Sequence, residues 1–264
     1  MQIAHINGVD IEYADCGDKT APVMAFSNSL GSDMRLWDNL IEHFKDQFRL
    51  IRYNKRGHGK STVTDQECTI ELLDNDLASL LKYLEIDQVI ICGISVGGMI
   101  AQNIAVSHPD LVKALILCDT GTKIGEEDFW QDRISAVNKN GLEPISDAIV
   151  ERWFSQDFKK YCKGEIEQWR QMLIQTSTQG YIAVCNALKV ANLTADSTSI
   201  TQPTLCVGGD EDLSTPPELV KKLSSIIRGS EFKIIEQAGH LPCIEKPYIL
   251  ADHIHKFIKE NNLV

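Results

Sequence analysis

No stretch of this 264-residue chain approaches the roughly 20 consecutive apolar residues that cross a bilayer. Its first residues, MQIAHINGVDIEY, hold neither the basic segment nor the apolar core of a secretory signal. Both absences point away from membranes and export. Basic residues are few: 26 Lys and Arg stand against 37 Asp and Glu, a formal net charge of −11. That excludes general nucleic-acid binding, which needs clustered cations to displace counterions. An anionic ligand would have to be met by a local cationic patch. None of the eight cysteines forms a C-x-x-C pair, and no metal-ligand spacing occurs. Cys92, Cys118 and Cys206 lie inside apolar runs, the setting of buried reduced thiols, so a cytoplasmic protein without a disulfide framework is expected. Internal repeats and low-complexity tracts are absent. With 43% hydrophobic and 24% charged residues, the composition is that of a soluble globular domain.

What is present alternates between two periods. Gln2–Ile6 and Val9–Asp15 flank Asn7-Gly8, a hairpin signal. Val23–Ser27, Phe48–Tyr53, Val89–Gly93, Ala114–Cys118, Thr204–Gly208 and Phe232–Ile235 read as strands. Helices are predicted over Trp37–Phe44, Ile70–Leu84, Val96–His108, from Pro217, and over Pro247–Lys259. Arg56–Ser61 is a glycine-rich loop. The alternation predicts an α/β fold: a mostly parallel sheet with helices on both faces. Strand character disappears from 120 to 192, where Trp130, Trp153 and Trp169 lie. This helical stretch of roughly 70 residues is too long for a plain crossover. It is expected to be a cap over a core made of 1–119 and 193–264, covering the sheet edge where such folds place ligands.

Gly93-Ile94-Ser95-Val96-Gly97 matches G-x-S-x-G between a strand and a helix. A turn this tight exposes the serine hydroxyl and sets a helix N-terminus behind it, favourable to a developing oxyanion. Ser95 is the candidate nucleophile. The order Ser, acid, His on such a sheet singles out His240 in AGHLP, just after the last strand. His253 and His255 fall in the final helix, His108 ends one, His58 has a loop-bracing reading, and His5 and His43 carry no motif. Among Asp210, Glu211 and Asp212, Asp212 is the favoured acid, with Asp210 the reserve that would instead shape the turn. The oxyanion donors are expected to be the backbone N–H groups of Val96 and Leu30.

The chain resembles the 3-oxoadipate enol-lactonases of bacterial aromatic degradation, within the α/β-hydrolases. FSNSLGSD (Phe26–Asp33), RYNKRGHGKS (Arg52–Ser61), GISVGGMIAQ (Gly93–Gln102), the cap stretch Trp130–Phe154, QGYIAVC (Gln179–Cys185), GDEDLSTPP (Gly209–Pro217) and AGHLPCIEKP (Ala238–Pro247) carry the resemblance. One departure is Val96, where Met is more usual. The resemblance implies a Ser-His-Asp hydrolase, without metal or organic cofactor, that opens an anionic enol-lactone to 3-oxoadipate. Arg133 would hold the carboxylate and Trp130 would pack on the ring; alternatively Trp130 is cap core and Arg133 is solvated. Carboxylesterase and carbon–carbon bond hydrolase chemistry use the same triad, and a ligand-binding protein could keep the fold. Monomer and homodimer both remain open.

Overall fold

The computed structural model describes residues 1–264. Eight strands form one sheet in the order β1-β2-β4-β3-β5-β6-β7-β8. They are β1 (Gln2–Ile6), β2 (Val9–Cys16), β3 (Val23–Ser27), β4 (Arg49–Tyr53), β5 (Val89–Ile94), β6 (Val112–Cys118), β7 (Thr204–Gly209) and β8 (Glu231–Ile235). β2 runs antiparallel to β1 and β4, and every other pairing is parallel. Asn7 and Gly8 both take positive φ, as a two-residue hairpin turn requires. β5 and β7 are buried at every position, because helices cover both faces of the sheet.

The helices packed on it are α1 (Asp38–Ile41), α2 (Ile70–Tyr83), α3 (Val96–Ser107), α9 (Pro217–Ile226), α10 (Pro242–Glu245) and α11 (Pro247–Glu260). α2 starts where the Thr69 hydroxyl accepts the Leu72 N–H at 3.1 Å, and it buries Leu73, Leu77, Leu80 and Leu81 on one side. The helix expected over Trp37–Phe44 is instead a 3₁₀ turn, Met34–Trp37, followed by the single turn of α1. Asp33 caps the earlier start through the Arg35 N–H, and i→i+3 bonds such as Phe44 N–H to Ile41 carbonyl tighten the exit.

Between β6 and β7 the chain runs through α4 (Glu127–Asn140), α5 (Glu143–Glu151), α6 (Gln156–Tyr161), α7 (Lys163–Gln175) and α8 (Thr178–Val190). This helical insertion is seated on the sheet's C-terminal edge. The Trp153 carbonyl accepts the His240 N–H at 2.8 Å. At Gly57 and Gly180 two backbones meet so closely that a Cβ on Gly57 would lie 2.5 Å from the Gly180 Cα. No helix is long and apolar enough to cross a membrane.

Candidate active site

Parallel strands deliver their carboxyl ends to one edge, and chemistry-bearing residues follow almost every one. Ser29 and Leu30 come after β3, Lys55 after β4, Ser95 after β5, Asp119 after β6, Asp212 after β7 and His240 after β8.

Ser95 has φ 58° and ψ −124°, a conformation that costs an L-residue free energy and is held by its surroundings. The flanking glycines make it possible. A Cβ on Gly93 would sit 2.3 Å from the Gly97 carbonyl oxygen, and one on Gly97 would sit 2.0 Å from the Ser27 carbonyl oxygen. The Val96 N–H, at the start of α3, donates to no acceptor of the protein, and neither does the Leu30 N–H.

His240 Nδ1 lies 2.8 Å from Asp212 Oδ2, and both side chains are buried. Asp212 Oδ1 accepts the N–H groups of Ser214 (2.6 Å) and Thr215 (3.1 Å), and Oδ2 accepts the Thr215 hydroxyl at 2.6 Å. Burial would raise the Asp212 carboxyl, but His240 and Thr215 outweigh it and hold the group below its ordinary value. Asp210 does not reach His240; its Oδ1 accepts the Ala238 N–H at 3.3 Å and braces the turn. On the other side of the ring, His240 Nε2 has the Ser29 hydroxyl at 3.5 Å. No hydrogen bond joins it to Ser95 Oγ, although Ser95 and His240 line the same cavity.

That cavity, of about 150 Å³, is walled by the insertion. Trp130 is buried in its wall, with Nε1 donating to the Ile124 carbonyl at 2.6 Å. Arg133 also faces it, stacked 4.8 Å over the Phe129 ring, with Nη1 at 3.3 Å from the Tyr181 hydroxyl. Arg152 lines it too and donates to the Leu213 carbonyl. Burial, then the neighbouring Arg133, push the Arg152 pKa down. Neither arginine is paired with a carboxylate.

The other histidines lie elsewhere. His58 is fully buried and its Nε2 accepts the Gly31 N–H at 3.1 Å, bracing the loop after β3. His5 pairs with Asp10, His43 packs on Tyr248 and His255 on Phe44. His253, on α11, is half-buried, and His108 caps α3.

Sequence reasoning missed Arg152, Thr215 and Asp119. The Asp119 carboxyl is wholly buried, and its Oδ1 accepts the Gly209 N–H at 2.8 Å. Burial, then the Asp212 charge, raise its pKa well above the ordinary value. Its Oδ2 is buried without a hydrogen-bond partner, a setting that disfavours the ionised form. Its place at the end of β6 was a readable signal. Arg152 gave none, since no motif or spacing sets it apart from the other lysines and arginines of residues 120–192.

A family model for the alpha/beta hydrolase fold matches residues 22–247. The chain is 33% identical to 3-oxoadipate enol-lactonase 2 of Acinetobacter baylyi over 254 residues, 96% of this chain and 95% of that one. The crystal structure of the enol-lactonase from Burkholderia xenovorans superposes with a TM-score of 0.95 at 29% identity, covering 98% of this chain and 100% of the other. A malate-bound thermophilic esterase from Thermogutta terrifontis superposes with a TM-score of 0.92 at 25% identity, covering 99% of each chain. The chain therefore belongs to the α/β-hydrolase family and is similar, over nearly its whole length, to 3-oxoadipate enol-lactonases.

Proposed function

We propose that this protein is a serine hydrolase that opens the ring of 3-oxoadipate enol-lactone, or a close anionic relative, to the oxo-acid. The observation that carries the reading is one cavity lined by both Ser95 and His240 and by two arginines without carboxylate partners. Two relatives described as enol-lactonases support the substrate class. In this reading residues 120–192 form a cap on a core of 1–119 and 193–264.

The chemistry then runs through the chain's own groups. The Ser95 hydroxyl swings toward His240 Nε2 as substrate binds, a tightening common in hydrolase sites. His240 takes its proton, Ser95 Oγ bonds to the lactone carbonyl carbon, and the oxyanion is held by the Leu30 and Val96 N–H groups. Asp212 keeps the proton-bearing Nδ1 in place and stabilises the imidazolium. The ring C–O bond breaks, the enol oxygen takes the proton from His240, and the enol tautomerises to a ketone. An enol leaves more readily than an alkoxide, so modest acid catalysis suffices. Water deprotonated by His240 attacks the acyl-enzyme, and Ser95 Oγ leaves with the returned proton. Arg133 and Arg152 offset the overall negative charge at the carboxylate arm.

The direct test is hydrolysis of the enol-lactone generated from muconolactone, beside p-nitrophenyl esters. Arg133→Met and Arg152→Met should each raise KM for the lactone about tenfold or more while moving the neutral ester less than about twofold. Equal effects on both substrates sink the carboxylate anchor. Turnover of esters without lactone would favour carboxylesterase chemistry, to which the similarity to a solved esterase points.

A further inference from the structure

Lys55 follows β4 and is 1% exposed. Its Nζ has one hydrogen-bond acceptor in the protein, the Ser29 carbonyl at 2.8 Å. No carboxylate is paired with it; Asp33 acts only from a distance. An ammonium in such a place is costly, and burial pushes its pKa down to about 7. Packing alone would be served as well by an uncharged chain of that length.

The carbonyl that Lys55 holds belongs to the peptide ahead of Leu30. The Ser32 hydroxyl donates to the same oxygen at 2.9 Å. The Ser29–Leu30 peptide is trans and planar, so its C=O and N–H point in opposite directions. With the oxygen drawn back to Lys55 and Ser32, the Leu30 N–H is turned away from them, and Ser29, Leu30 and Ser95 line the cavity together. The next peptide is pinned as well, because the Gly31 N–H donates to His58. Burial, then the Lys55 charge, keep His58 neutral and hence an acceptor at Nε2.

We propose that Lys55 is a positioning residue for the oxyanion donor: its ammonium anchors the Ser29 carbonyl, aims the Leu30 N–H at the reacting oxygen, and polarises that peptide so that the N–H donates more strongly. The proposal rests on the serine-hydrolase reading. It assigns the buried charge a purpose that neither the triad nor the fold requires.

The test compares wild type with Lys55→Met, which keeps length and packing. Melting temperature, kcat and KM for p-nitrophenyl acetate, and the inhibition constant of a trifluoromethyl ketone are measured. That ketone adds to the serine as a hemiketal oxyanion and so reports the donor pair directly. The expected result is a kcat lower by about tenfold or more, ketone affinity weakened by a similar factor, and KM within about twofold. The melting temperature should equal or exceed that of wild type. A folded variant that keeps wild-type ketone affinity, whatever its kcat, overturns the positioning role and leaves the hydrolase reading standing. A wild type that neither hydrolyses the ester nor reacts with a fluorophosphonate overturns both. Should Lys55→Met fail to fold, Ser32→Ala acts on the same carbonyl. A parallel loss of about threefold in kcat and ketone affinity then supports the aiming of this peptide, and unchanged values overturn it.

Discussion

The hydroxyl of Ser95, the buried carboxyls of Asp119 and Asp212 and the imidazole of His240 are the groups that single substitutions test. Ser95→Ala should abolish fluorophosphonate labelling; undiminished labelling, read by mass spectrometry, would place the nucleophile elsewhere. Asp212→Asn should lower kcat by about 10⁴, as removing an orienting carboxylate does, whereas Asp210→Asn should stay near wild type because Asp210 contacts only the Ala238 N–H. Asp119 offers a stability test. Burial, then Asp212, raise its pKa well above 3.8, so the folded protein holds a proton that the unfolded chain releases above that value. Its contribution is complete in acid and declines as pH rises. Asp119→Asn carries no charge at any pH. Its melting temperature should match wild type near pH 4 and exceed it increasingly towards pH 8, with activity within about threefold. A constant offset across the series would show that Asp119 carries no such proton.

At the scale of elements, the junction of β5 and α3 depends on how near the β3 loop comes. A Cβ at position 97 would meet the Ser27 carbonyl oxygen at 2.0 Å, so Gly97→Ala must push backbone against backbone. Urea unfolding should show a loss of about 3 kcal/mol. The loop after β4 has a comparable role towards the loop after β3. Asn54 accepts the Met34 N–H at 2.7 Å, His58 takes the Gly31 N–H, and Lys55 takes the Ser29 carbonyl. The stretch Asn54–His58 thus works as a mould for its neighbour.

Across the whole molecule, one carboxylate is among the contacts that join the insertion to the sheet. Glu245 Oε2 accepts the N–H and hydroxyl of Ser155 at 3.1 and 2.5 Å, and Oε1 accepts the Gly239 N–H at 2.8 Å. It ties the chain after α5 to the loop that carries His240. Glu245→Ala strands these donors and should cost about 2 kcal/mol in denaturant unfolding. It should also lower kcat, because the His240 loop loses one of its anchors; a stability loss with full activity would show that the remaining bonds hold the loop in shape.

Some of this was written in short stretches of sequence. Alternating apolar runs predict the α/β architecture because burial on both faces of a parallel sheet demands them, as Val89–Ile94 illustrates. G-x-S-x-G is readable because strand, turn and helix are contiguous and Gly93 faces the turn's own Gly97 carbonyl, although the close neighbour of Gly97 is the Ser27 carbonyl after β3. The order Ser95, Asp212, His240 follows from strand order. Tertiary structure alone decided the rest. Asp212 rather than Asp210 reaches His240 because the Thr215 and Ser214 amides turn the loop inward. Arg152 joins Arg133 in the cavity because the consecutive helices α4 and α5 fold back over one edge of the sheet, which no periodicity encodes. Met34 opens a 3₁₀ turn because an Asp33 cap outcompetes helix propensity. Lys55 looks like any loop lysine until burial removes water from its ammonium and leaves it the Ser29 carbonyl as its hydrogen-bond acceptor within the protein.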